Sequence, residues 1–463
     1  MNERSMPQRL RALFKDYWPG WIAGAAILLS AVGLKVNASL MPQNMSVPTL
    51  AVPSPNAFDY DLRAAAILIS DPAAANAASP DHLNSVLARS GHETAQEDGQ
   101  RRADMQAVQP VAARVMREVE QGFDHPYVNP PVRSLDARFS YYVSFRQVAS
   151  LLAVESAADR QRGDYAAAMR ASLDAVRLGV DIPHGSVLIG MLVGVACQTI
   201  GRRSAYPAVA HLDAAQARAA ARRLAAIDAG QVDMAQTLTQ EKWFTQAVLR
   251  SSFRKRDWRG FLLSGSGVQL SGGPTLVRQM AADFRLGLES PREADRNYTR
   301  YMDAAITRSR LPWARQQALP QVTMPTDPIN QILLPIFGGA GFKLRMSSAM
   351  NRLLEIRLAL RAYRLDHGQY PASLDELAPA YLPSVPMDPF AEEAPLRYAR
   401  KGGSYVLYSV GPDGVDNGGM PIMATVAGGR KVVKPADTPD QEYQYIGYIG
   451  DTDTGDIVAG VND

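Results

Sequence analysis

The chain is poor in the residues that most enzymes and many secreted domains depend on. Its 463 residues include one cysteine, Cys197. No disulfide can form within the chain, and no Cys-x-x-Cys pair can hold zinc or act as a redox couple. Cys197 itself lies in the apolar run 187–200, the setting of a small buried residue and not of a nucleophile. Histidine is scarce at six residues. His82, His92 and His125 are scattered, without a pair at metal-ligand spacing, and read as surface polar groups. No Gly-x-Ser-x-Gly and no His-Glu-x-x-His occurs. The glycines of 264–274 precede no Lys-Ser/Thr and follow no strand pattern, so they read as a mobile loop and not as a phosphate cradle. Net charge is also small, +3, with arginines and acids interspersed and no basic run beside aromatics. That pattern gives no argument for a nucleic-acid partner, and none is expected.

What is present is an ordinary folded composition, 46% hydrophobic and 21% charged, in a chain long enough for two or three domains. Residues 1–17 form a basic tail with Arg4, Arg9, Arg11 and Lys15. Residues 18–36 then run without charge until Lys35 and begin with Trp18. About 19 residues at a rise of roughly 1.5 Å approach the thickness of the bilayer hydrocarbon. The basic flank would stay inside, so the expectation is a single-pass anchor in the cytoplasmic membrane with the bulk of the chain on the extracytoplasmic side. A signal peptide cut near Val36-Asn37-Ala38 is the competing reading. Residues 37–57, interrupted by Pro42, Pro48, Pro53 and Pro55, are a spacer.

Residues 58–311 read as a helical domain. Between 58 and 132, helical patches alternate with surface loops. From Phe139 onward, Phe145, Val148 and Leu152 run into Arg162-Gly163-Asp164-Tyr165 and a second helix over 166–178, an antiparallel hairpin. The Gly-Asp-Tyr-x-x-Ala arrangement looks like the tetratricopeptide type of helical pair, but no repeat of that period follows. The run 187–200 is too short for a membrane span and is followed by Arg202-Arg203, so it reads as the central helix of a bundle. Helices follow over 213–227, 233–256 and 275–288. Ser290-Pro291-x-Glu293 opens another that ends near Leu311, with a capping Ser and Pro at the first helical position. Pro312, Pro320, Pro325 and Pro328 mark 312–328 as a linker, with a second domain over 329–463. The broken apolar run 329–342 is expected to pack the two domains together or to touch the membrane surface.

The densest signal lies in 350–419. Leu353, Ile356, Leu360 and Tyr363 share one helical face, while Arg352, Arg357, Arg361 and Arg364 mostly lie off it, which predicts a helix that covers something on one side only. Gly368 ends it, Pro371 follows, and Ser373 with Glu376 forms a capping box for a short second helix. Strand candidates over 396–399 and 405–410 flank the turn Gly402-Gly403. Weaker alternation in 421–426, 430–433 and 443–449 suggests further strands, and Asp451, Asp453 and Asp456 cluster in the tail.

This order of parts, with Tyr370-Pro371, Asp388-Pro389-Phe390, Arg397-Tyr398 and Tyr408-Ser409-Val410-Gly411-Pro412-Asp413-Gly414, resembles the periplasmic domain of the major pseudopilin of type II secretion systems. The resemblance covers roughly seventy residues. It implies a small pseudopilin-like domain in which a long helix packs on a short antiparallel sheet; with the transmembrane helix and mainly helical domain read above, the chain is expected to be α+β overall. It also implies calcium in the loop 411–419, held by Asp413, Asp416 and Asn417, with Asp456 as a partner from the tail. Asp and glycine here also suit a solvated turn. Members of that family begin with a leader, a cleavage site and an apolar helix carrying an early glutamate. Neither residues 1–35 nor the stretch before Met350 has this pattern, so the chain is not expected to be a filament subunit.

Two functions remain open from sequence. One is a non-catalytic protein-interaction or assembly component of the cell envelope, with envelope or secretion-system proteins as partners and the inner membrane engaged through the N-terminal helix. The other is an extracytoplasmic hydrolase with dispersed active-site residues in the helical domain, for which a cleft lined by titratable groups would speak. A weaker third possibility, a peptide receptor built on helical pairs, would show a concave groove.

Overall fold

The computed structural model describes residues 48, 50–70, 95–133, 139–255, 291–327, 330, 334, 339–422, 425–426, 429–430 and 449–459. The expected anchor at 18–36, the loop 264–274, the helix over 275–288 and most of 329–338 lie outside these. Among the described residues, no helix is long and apolar enough to cross a membrane.

The chain is mainly helical, with a small antiparallel sheet near its end. Helices α1 (Ala57–Ser70), α2 (Ala95–Gly122), α3 (Tyr141–Gln161), α4 (Tyr165–Asp181) and α5 (Leu188–Val209) come first. They are followed by α6 (Ala214–Ala229), α7 (Met234–Lys255), α8 (Pro291–Ser309), the short α9 (Trp313–Ala318) and the long α10 (Ala340–His367). A single 3-10 turn, Leu374–Leu377, precedes strands β1 (Arg397–Lys401), β2 (Ser404–Ser409), β3 (Thr425–Val426), β4 (Gly429–Arg430) and β5 (Ile457–Val458). The main sheet has the order β1-β2-β5, antiparallel throughout, and β3 pairs with β4 apart from it.

Local signals explain most of these ends. Asp164 caps α4 by accepting the Ala167 amide at 2.8 Å, and Asp213 with Gln216 forms a capping box at α6. Pro291 is the first residue of α8, where a missing amide costs nothing. Gly368 closes α10 with φ +75°, a left-handed conformation that a Cβ would oppose. The Ser373–Glu376 box holds the 3-10 turn as anticipated.

Helix α5 contains the apolar run 187–200 and lies at the centre of the bundle, in contact with α3, α4 and α10. Small residues let it approach α4 closely. A Cβ placed on Gly179 of α4 would come within 2.5 Å of the Gly194 carbonyl oxygen, and one on Gly194 equally close to that of Gly179. Ser156, Ser172 and Ser204 join α3, α4 and α5 through buried hydroxyl contacts of 2.9 and 3.0 Å. A cluster built on Phe58, Val108, Val115, Phe145 and Leu152 unites α1, α2 and α3 with one face of α4 and α5.

The expectation that α10 covers something on one side only is overturned. Nearly every residue from Ser347 to Ala362 is buried. One face meets Leu396, Leu407, Val410 and Ile457 of the sheet region, and the other meets Val176, Tyr206 and Leu224 of the helical body, all in one continuous core. The arginines misled because charge suggests solvent. Instead Arg352 bonds Asp228 of α6 at 3.0 Å, Arg361 bonds the Leu212 carbonyl at 3.2 Å, and the Arg357 guanidinium lies over the Tyr206 ring at 5.0 Å. Their stems cover apolar surface while their heads find partners on the neighbouring helices. The Pro-rich stretch 312–328, read as a linker, contributes α9 and buries Trp313 against Phe342 and Phe390.

Candidate functional site

Strand β2 leads into the acidic turn 411–419, and β5, paired beside β2, brings Asp456 back against the turn. The structure therefore gathers all the anticipated residues. Asp413 accepts the amides of Val415 at 3.0 Å and Gly455 at 3.1 Å. Asp416 accepts the Tyr408 hydroxyl at 2.8 Å and the Gly418 amide at 3.0 Å, and pairs with Arg397 at 3.1 Å. Asp456, wholly buried, accepts the amides of Asn417 at 3.2 Å and Gly419 at 2.7 Å. The Asn417 side chain, oriented to satisfy its neighbours, donates to Val415 O at 3.1 Å and to Asp413 Oδ2 at 3.2 Å.

The electrostatics follow from these bonds. The Gly418 amide, then Tyr408 and Arg397, hold the Asp416 carboxyl below its usual range. Burial pushes Asp456 up, although three backbone bonds oppose it. As donors, two carboxylates on one tight turn and a third brought against it from the tail have the hardness that calcium prefers. In the arrangement present, their oxygens face backbone amides, and the cation beside them is Arg397. Among the described residues, no group of three or more His, Cys, Asp or Glu converges as a metal set. The cluster in the tail is looser: Asp453 accepts the Gly450 amide at 2.8 Å.

A second feature was not anticipated at residue level. A groove of about 780 Å³ opens along α4. Met116 and Glu120 of α2, Phe123 just beyond it, and Glu155 and Asp159 of α3 form one wall; Gln216, Ala219, Ala220 and Arg223 of α6 form the other. The floor is Ala166, Ala167, Met169, Arg170, Leu173 and Asp174. Asp174 is buried, and its carboxyl is raised by desolvation against the opposing pull of Arg223, Arg177 and Arg170. Glu120 is raised by burial and by Asp174. Asp159 is raised by burial while Arg162 opposes. Asp174 pairs with Arg223, and Asp159 and Glu155 share Arg162. The side chains of Arg170 and Glu120, both exposed, make no hydrogen bond or ion pair among the described residues, although Arg170 lies near enough to pull on the Glu120 carboxyl. The sequence carried one signal of this face: Arg170, Asp174 and Arg177, spaced by four and three, interrupt an alanine-rich helix.

A third cluster joins the body to α10. The Gln198 amide nitrogen donates to Gly179 O at 3.1 Å and to Gln231 at 2.9 Å. Its oxygen accepts from Ser347 at 2.8 Å and Asn351 at 3.1 Å. Asn351 also donates to Asp228 at 3.0 Å, and Arg202 donates to Ser347 and Asn351 at 2.9 and 2.7 Å. Beside this network, burial and the nearby Asp228 push the Glu355 carboxyl up to about 8, with Arg352 opposing. Cys197 is fully buried, and burial raises its thiol to about 12, which leaves it inert as a nucleophile.

Comparison with known protein families, with curated proteins and with solved structures gives no match.

Proposed function

We propose that this chain is a membrane-anchored extracytoplasmic component of the cell envelope that binds other proteins of a secretion or pilus-like assembly and does no chemistry of its own. One observation carries the reading. Helix α10, the 3-10 turn, the β1–β2 hairpin and the acidic turn closed by Asp456 follow one another in the order that the resemblance to type II secretion pseudopilins implies. That module is not presented for polymerisation through its helix, because α10 is enclosed between the sheet and the helical body. It is fixed to a scaffold that offers a groove. Calcium at 411–419 belongs to the same proposal and has its own test.

A second reading, an extracytoplasmic hydrolase, draws support from the raised carboxyls of Glu120, Asp159 and Asp174 in the groove. Against an esterase or peptidase of that kind, the residues lining the groove include no hydroxyl, thiol or imidazole, which leaves a carboxylate pair as the chemistry to test. Asp174 and Asp159 are also occupied with arginines. The interaction reading accounts for those pairs without asking them to break.

The test uses the full chain in membranes. A photoreactive residue in place of Ala219 or Val415, on the groove wall and on the acidic turn, should crosslink to an envelope protein, and external protease should reach residues beyond 48. Crosslinks confined to cytoplasmic proteins, or protection of the whole chain from external protease, would overturn the proposal. Hydrolysis of a generic ester or glycoside that is lost in Asp174→Asn but kept in Asp413→Asn would favour the second reading.

A further inference from the structure

The groove along α4 is apolar at its base and charged at its edges. Met169 and Leu173 lie at the bottom, with the alanines 166 and 167 on the floor and 219 and 220 on the α6 wall leaving room for another backbone to approach. Over 166–177 the floor runs about 16 Å at roughly 1.5 Å per residue. A volume of about 780 Å³ is that of a ligand cleft for a sizeable guest and far more than a single ion or water cluster needs.

The charges divide into used and unused. Arg223 is held by Asp174, Arg177 by the Phe123 carbonyl and Asp181, and Glu155 and Asp159 by Arg162. Among the described residues, the groove's charged side chains without a hydrogen bond or ion pair are Arg170 on the floor and Glu120 on the α2 wall, opposite in sign and near enough that each alters the other's field. A purely acidic guest would meet Glu120 and a purely basic one Arg170. The complement is a guest that carries both signs above an apolar face.

We infer that this groove docks a short peptide segment of a partner protein, apolar on its buried side and bearing one acidic residue for Arg170 and one basic residue for Glu120. The inference rests on the interaction reading above and names where on the chain that reading is carried out. Small residues on the guest's docking face would suit the alanine-lined walls. Arg170 and Glu120 then act as the selecting pair, and Met116, Phe123 and Met169 supply the adaptable apolar contact.

The experiment selects from a displayed library of random peptides of about twelve residues, a length that as a helix spans the floor, against the immobilised full chain in detergent. Recovered peptides are then measured by fluorescence anisotropy against the parent chain, Arg170→Glu, Glu120→Lys and the exchanged pair Arg170→Glu with Glu120→Lys. Both positions are exposed, so the variants should fold, which their thermal unfolding checks. The expected result is that recovered peptides contain an acid and a base around apolar residues, that each single variant weakens binding by about tenfold or more, equivalent to 1.4 kcal/mol, and that the exchanged pair restores part of the loss.

Recovery of no binder, recovery of singly charged or purely apolar binders, or equal affinity across all variants would overturn the inference. The two readings fail separately. Crosslinks to an envelope protein with no selectable peptide would leave the assembly role standing without this groove. Charge-paired peptides on a chain that never reaches the envelope would leave the groove standing without that role.

Discussion

The indole Nε1 of Trp313 donates to the carbonyl oxygen of Pro412 at 2.7 Å, across 99 residues of sequence. The bond ties the Pro-rich stretch after α8 to the start of the acidic turn, and Phe390 meets the same ring edge-on at 5.6 Å. Trp313→Phe should cost about 1–3 kcal/mol, because it strands a carbonyl while keeping most of the apolar contact. Trp313→Ala should cost about 3–5 kcal/mol. Urea unfolding measures both, and faster amide exchange in 411–419 of the Phe variant would show that the turn itself had been loosened.

The close approach of α4 and α5 predicts a contrast between glycines. Gly194→Ala forces the Gly179 carbonyl and Pro183 aside and should destabilise by about 1–3 kcal/mol. Gly99 of α2 has nothing within 4 Å of where a Cβ would stand. Gly99→Ala should therefore stabilise slightly, by about 0.5–1 kcal/mol. Opposite shifts of the two thermal midpoints are the expected outcome; similar shifts would mean that the helices are farther apart than described.

Glu355 predicts a pH dependence. Its carboxyl lies at about 8 in the folded chain, against an ordinary 4.5. The folded state thus retains a proton that the unfolded state releases, so this stabilisation is complete below about pH 4.5 and is lost as pH rises through about 8. The charges acting on it are Asp228 of α6 and Arg352 of α10 itself. Glu355→Gln keeps the shape and the neutral charge, so it should gain on the parent as pH rises from 5 to 8.5, by on the order of a few kcal/mol at the upper end. A constant difference between the two unfolding curves across that range would show that Glu355 titrates alike in both states.

Calcium is tested by its effect on unfolding of the full chain. An ion held only by the folded form should raise stability by about 2.7 kcal/mol at roughly a hundred times its dissociation constant. Asp413→Ala should abolish the shift. Arg397→Gln, which removes the cation beside Asp416, should enlarge it. Identical midpoints with calcium and with chelator would show a turn closed by its own amides alone.

Much of the C-terminal module was readable because its instructions are local. The glycine at 368, the Ser373–Glu376 box and the Gly402-Gly403 turn each act within a few residues, and β1 and β2 fall within two residues of the anticipated strands. The return of Asp456 was foreseen from the resemblance, not from any local pattern. What sequence concealed was long-range. Helix α5 is preceded by Val187, which supplies no side-chain cap; its first amide, Leu188, is satisfied by Glu241 of α7 at 2.8 Å. The Gln198–Asn351 contact spans 153 residues. Arginines on α10 were misjudged for the same reason, since periodicity records polarity but not which neighbour will neutralise it. The groove is an arrangement of α2, α3, α4 and α6, and Arg170 and Glu120, which lack an ion pair among the described residues, become conspicuous only when the others are seen to be paired.

The enclosure of α10 also sets an order of events during biosynthesis. A ribosome finishes α6 about 140 residues before it finishes α10. At roughly 5–20 residues per second, the emerging bundle waits about 7–28 s with the slot between α5 and α6 unfilled. During that interval Val176, Tyr206 and Leu224, part of the finished core, lack the helix that completes it, and the Gln198 amide lacks Ser347 and Asn351. A stop codon placed before residue 340 would release a chain that has made most of its helices and packed the cluster around Phe58 and Phe145, but that lacks the helix completing the core around Val176, Tyr206 and Leu224.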